Sequence, residues 1–251
     1  MATMRIERPG RRRASLLPFA CGCLAALGIL GAIVVVGGVL LLPKIIGSIT
    51  GLTPAGQTAQ VFAGVTPQPT AILQNPTEPA QITVDLGQYG QQTFANNNPQ
   101  LYNFTVGTSS SGQQEAQMTF TEAGLMQLCE QKSTVCGANS TDPHVRNARI
   151  DLQPGGAIVY VDATVPQFGN QTIPAGVVLK WDQPSKQIIF TGIDLLGTLY
   201  TTPPPELADT INTVQEQLND LIQQMAVQVG NGSYTIDTVI ITDTNATILL
   251  H

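Results

Sequence analysis

The 251 residues are 43% hydrophobic, 11% charged and 5% aromatic, with a net charge of −6 at neutral pH. Residues 1–44 hold six Lys or Arg against one Glu, a net of +5, whereas residues 45–251 hold five against sixteen Asp or Glu, a net of −11. So acidic a part repels nucleic acid and anionic headgroups, which argues against a phosphate-tracking surface, and its scattered charges serve solubility.

Residues 19–42 form an uncharged, largely apolar run preceded by Arg5, Arg8, Arg11, Arg12 and Arg13. Hydrocarbon about 30 Å thick needs roughly 20 apolar residues at 1.5 Å rise each, so the run is long enough to span with some tilt. The arginines favour the cytoplasm, which places a basic tail at 1–18 inside, a transmembrane helix at 19–42, and everything after Lys44 outside the cell membrane. The rival reading is a cleavable signal peptide. Its apolar region is shorter, about 7–15 residues, and Thr53-Pro54-Ala55 is a poor cleavage site. Cys21 and Cys23 stand at the start of the run, where a lipoprotein box does not occur, and Gly28 with Ala32 makes a small-xxx-small pair.

Residues 43–80 are rich in Pro, Thr and Gln, with Pro54, Pro67, Pro69, Pro76 and Pro79. Few groups there offset the entropy of ordering, so the composition predicts a semi-extended linker. The alternative is that Val61-Phe62 docks on the domain or on the membrane. Residues 81–251 then have the size of one domain with its own core.

Within that domain, 81–86 and 101–106 alternate apolar and polar residues as half-buried strands do. Met118 to Thr121 reads as a strand entering a short helix, with Thr121 as its cap and Leu125, Leu128 and Cys129 on one face. Cys129 and Cys136 are a disulfide candidate in an oxidising compartment. A zinc pair competes, with only His144 and His251 to complete it. Strands are predicted at 146–152 and 157–165 around Pro154-Gly155-Gly156, and at 176–181 and 187–195 around 182–186. One long helix is expected from Pro205 to about Val229, its apolar stripe running through Leu207, Ile211, Val214, Leu218, Leu221, Ile222, Met225 and Val229. Asp209, Glu216 and Asp220 with Asn and Gln occupy its other face, and Gly230 stops it. Strands at 234–242 and 246–250 close the chain. The expected class is α+β, a mostly antiparallel sheet packed on one long and one short helix.

The Thr121-Glu122-Ala123-Gly124-Leu125-Met126-Gln127-Leu128 opening, the meander 145–165, the segment Gln187-Ile188-Ile189-Phe190-Thr191-Gly192-Ile193-Asp194, the proline-led helix and the closing strands together resemble small bacterial membrane-anchored proteins of the LmeA/YpmS kind. That resemblance covers about half the chain and implies a tubular-lipid-binding-like domain, with a curved sheet wrapping a long helix around an apolar groove. Gly124, the Cys129–Cys136 loop and the strands before Met118 depart from that pattern, and no functional residue is carried over.

Catalytic chemistry is hard to find. Nucleophilic catalysis needs an activated Ser, Cys or Thr, yet beyond Lys44 the histidines are His144, in a Pro-flanked turn, and His251, at the end. Asp151, Asp162, Asp182 and Asp194 lie on or beside strands, where two could act as acid and base, although an outward, solvated place suits Asp162. There is no EF-hand loop, His-Glu-x-x-His or Gly-rich phosphate loop, and the aromatic residues are too sparse for a stacking platform. The expectation is a non-enzyme without cofactor or metal, binding lipid or another apolar ligand between the long helix and the sheet. The alternative is an accessory subunit of a membrane complex. Triplets at Asn103, Asn139, Asn170, Asn231 and Asn245 match the glycosylation pattern, at a frequency chance explains.

Overall fold

The computed structural model describes residues 54–68, 72–85, 87, 90–95, 102–132, 145–165, 171–202 and 205–251. The basic tail, the 19–42 run, His144 and the Cys129–Cys136 pairing lie outside the described residues. Among those described, no helix is long and apolar enough to cross a membrane. Over the described residues the fold is dominated by antiparallel strands, with three helices.

The expected single sheet is two. A six-stranded sheet is built, in order of pairing, from β1 (Pro54–Gln57), β11 (Thr198–Tyr200), β10 (Gln187–Leu195), β9 (Gln171–Asp182), β8 (Gly156–Val165) and β7 (Val145–Gln153). An eight-stranded sheet runs β2 (Gln74–Thr77), β5 (Tyr102–Thr108), β6 (Gln114–Thr121), β14 (Asn245–Leu250), β13 (Gly232–Ile241), β12 (Ala226–Val229), β3 (Gln81–Asp85) and β4 (Gln91–Ala95). Every ladder is antiparallel. Alternation works as expected on β6, where Ala116, Met118 and Phe120 are buried and their neighbours are not. These three join Phe104, Ile248 and Leu250 of the same sheet and Ala148, Ile150, Val159, Val161 and Ile193 of the other in one core.

Helix α2 (Glu122–Lys132) follows β6, and its first turn is capped as the sequence predicted: the Gly124 N–H donates to Thr121 Oγ1 at 3.0 Å. Glu122 then accepts the Leu152 N–H at 3.3 Å, tying α2 to β7. Helix α3 (Pro205–Gln224) buries Ile211, Leu218, Leu221 and Ile222 at 2–6% exposure.

Two expectations are corrected here. The long helix does not reach Val229, because Ala226–Val229 is β12, inserted between β3 and β13 with Val227 opposite Val84 and Tyr234. Val229 continues the helical stripe from Met225 but also makes a period of two with Val227, and the strand's two neighbours decide the matter. Gly230, at φ +56°, belongs to the tight β12–β13 turn, whose backbone favours glycine. The 43–80 stretch, moreover, is not a free linker over its described residues. It contributes β1, β2 and the four-residue helix α1 (Ala59–Phe62), and Phe62 docks on the domain.

Candidate functional site

Charged and polar groups converge most clearly on the outer face of the six-stranded sheet. The two-residue turn Pro154-Gly155 sets the β7–β8 register so that Arg149 stands opposite Tyr160, Tyr160 opposite Gly176, and Gly176 opposite Asp194. One cross-strand row therefore carries a cation, a phenol, a glycine and a carboxylate. The Arg149 guanidinium carbon lies 5.0 Å from the Tyr160 ring centroid, a cation–π distance. A Cβ on Gly176 would sit 2.9 Å from that ring, so the absent side chain lets the phenol lie flat across β9.

The carboxylates are each satisfied by close neighbours. Asp162 accepts from Arg149 at 3.2 Å and from Asn147 Nδ2 at 2.7 Å. Asn147 reaches it from a β7 bulge at φ +52°, a conformation Asn tolerates. Asp151 accepts from Gln153 Nε2 at 2.9 Å. Asp194 is 1% exposed and accepts from the Thr58 hydroxyl and, at 3.1 Å, from the Gly197 N–H. Burial first, then the charges of Asp194 and Asp151, push the Tyr160 hydroxyl up to about 12 against the opposing pull of Arg149.

Of the four strand aspartates the sequence offered as an acid–base pair, Asp151, Asp162 and Asp194 thus gather around Arg149 and Tyr160. Asp182 does not. It closes the β9–β10 turn, accepting from Ser185 N at 3.1 Å and from Ser185 Oγ at 2.5 Å. With its pKa raised to about 12, the Tyr160 phenol keeps its proton at neutral pH. Arg149 and Tyr160 escaped the sequence reading, though the 154–155 turn alone would have paired them.

Thr58 and Phe62, from the supposed linker, complete this face. Phe62 is 5% exposed and packs with Ile158, Val178 and Leu199, the outward-facing apolar residues of β8, β9 and β11. Lys180 Nζ donates to the Val61 carbonyl at 3.3 Å, and the Thr58 N–H to the Gly197 carbonyl at 3.1 Å.

Between the long helix and the sheet, the other place expected to hold a ligand, amides of α3 bond to the backbone of β10. Asn219 of α3 is 6% exposed; its Oδ1 accepts the Ile188 N–H at 2.8 Å and its Nδ2 donates to the Ile188 carbonyl at 3.0 Å. Gln215 Oε1 accepts the Phe190 N–H at 2.8 Å. These amides serve the β10 edge where no strand pairs with it. Among the described residues, no group of three His, Cys, Asp or Glu side chains is placed to hold a metal ion. No family model, curated protein or solved structure matches this chain.

Proposed function

We propose that this chain is a single-pass membrane protein whose acidic domain acts outside the membrane by binding, as a non-catalytic accessory subunit of a larger membrane complex. The uncharged run 19–42 behind five arginines carries the reading, since it both spans and orients. The satisfied carboxylates around Arg149 and the high-pKa Tyr160 favour recognition over acid–base chemistry.

Carbonate extraction and protease treatment of intact cells test the topology. The chain stays with the membrane while its domain is digested from outside; recovery in the soluble fraction overturns the reading. Native mass spectrometry in mild detergent tests the binding role. A stoichiometric protein partner is expected, and a lone chain retaining bound lipid would instead favour an apolar ligand between α3 and the sheet. Such a ligand would have to displace the buried stripe Ile211, Leu218, Leu221 and Ile222 and open the Asn219–Ile188 bonds.

A further inference from the structure

The segment between the apolar run and the body of the domain has far more attachments than a spacer needs. Starting at Pro54 it pairs with β11, with Pro54 opposite Tyr200, Gly56 opposite Leu199 and Gln57 opposite Thr198. Thr58 follows with a backbone bond to Gly197 and a side-chain bond to the buried Asp194. Lys180 holds the Val61 carbonyl, and Phe62 fills the apolar patch of Ile158, Val178 and Leu199. Val65 lies so close to Gly155 that a Cβ there would sit 2.9 Å from Val65 Cγ1. Residues 54–65 thus cross the outer face of the six-stranded sheet, with bonds or contacts to β8, β9, β10, β11 and the β7–β8 turn.

We infer that residues 54–65 are a latch that sets how the domain stands over the bilayer, holding the β1–β11 edge of the six-stranded sheet close to the membrane. The inference rests on the transmembrane reading of 19–42. From residue 42 to Pro54 the chain takes twelve steps, at most about 40 Å when fully extended. Were 54–65 free, the first strand to grip the domain would be β2 at Gln74, thirty-two steps away, and the reach would grow to about 110 Å. The latch shortens the tether almost threefold and also selects which edge is tethered. The β10–β11 turn lies on that edge. At its tip Leu196 is 68% exposed at φ +54°, beside the Gly197 that Thr58 grips.

The test uses the full chain reconstituted in phosphatidylcholine vesicles. A donor fluorophore is attached through an azide-bearing unnatural residue at position 196, and the acceptor is a headgroup-labelled lipid. Ten Gly/Ser residues inserted between 53 and 54 add about 35 Å of reach and lower energy transfer about twofold or more. The same ten residues inserted at 69–71, beyond the latch, leave transfer unchanged. Equal losses from both insertions overturn the latch, since a simple spacer responds to length wherever it is added; so does indifference to both. Failure of the parent chain to float with the vesicles fails the transmembrane reading itself and takes the latch with it. Loss of transfer in Phe62→Ala combined with Thr58→Val, with protease cleavage newly appearing at 54–65, supports the latch independently; cleavage without loss of transfer overturns it.

Discussion

Asn219→Leu isolates the way α3 is held to the sheet. The substitution keeps the branching and the number of heavy atoms and enlarges the apolar stripe, so if burial alone docks the helix the protein should gain stability. The structure predicts the opposite. Asn219 is the partner of both the N–H and the carbonyl of Ile188, at 2.8 and 3.0 Å, in a place only 6% exposed. Leucine leaves both groups buried without a partner, at about 1–3 kcal/mol each. Its added apolar burial returns about 1 kcal/mol. The net loss is about 1–5 kcal/mol, which in a domain of this size lowers Tm by about 2–20 °C. Thermal unfolding followed by circular dichroism in detergent reads this directly, and hydrogen exchange should show the Ile188 amide losing protection. Gln215→Ala, which breaks one bond at a half-buried site, should cost only about 0.5–1.5 kcal/mol. A Tm for Asn219→Leu at or above that of the parent would refute the reasoning.

The Tyr160 phenol should stay protonated past pH 10, its absorbance change appearing only towards pH 12. Its hydroxyl is raised from 10 to about 12, so below pH 10 both folded and unfolded chains keep the proton and its contribution is fully present. Between about 10 and 12 the unfolded chain releases it first and stability falls; Tyr160→Phe should flatten that limb of the pH profile. Gly176→Ala places a methyl 2.7 Å from Ile158 Cγ2 and 2.9 Å from the Tyr160 ring, so denaturant melts should show a loss of about 1–3 kcal/mol. Thr121→Ala removes the cap on α2 and should cost about 1 kcal/mol, with Thr121→Ser close to the parent. Thiol titration of the unreduced, unfolded chain should find two free cysteines, Cys21 and Cys23, and four after reduction; four before reduction would exclude the Cys129–Cys136 bridge.

Where a strand is long and has one buried face, its residues announce it. Ala116, Met118 and Phe120 on β6 show the period of two without interruption, and on β14 Ala246, Ile248 and Leu250 are buried together with Thr247. Which strands pair is a different matter, because alternation names a buried face and not a neighbour. The last strand, β14, lies between β6 and β13, with Asn245 opposite Thr121, and no local pattern encodes so distant a partner. Two sheets sharing one core therefore read as one. Segments of three or four residues are too short for any period, which hid β1, β11 and β12. Phe62 is the single buried apolar residue of α1, and one phenylalanine among prolines, threonines and glutamines carries no periodic signal.

The candidate site was half visible for a related reason. Carboxylates on strands can be found by inspection, but what each one does depends on the edges and turns beside it. The same is true of the amides on α3. In a binary pattern Gln215 and Asn219 belong to the wet face, since polar residues are assigned to solvent. A sheet edge is the exception, because its unpaired N–H and C=O groups need polar partners wherever a helix covers them. On β7 the same demand is met at Leu152, whose N–H donates to Glu122. The residues that departed from their expected roles, Asn219, Gln215 and Thr58, all bond to the unpaired stretch of β10 or to the turn that follows it. An edge is defined only once the sheet exists, so these roles were settled by tertiary pairing and not by anything written within their own stretch of chain.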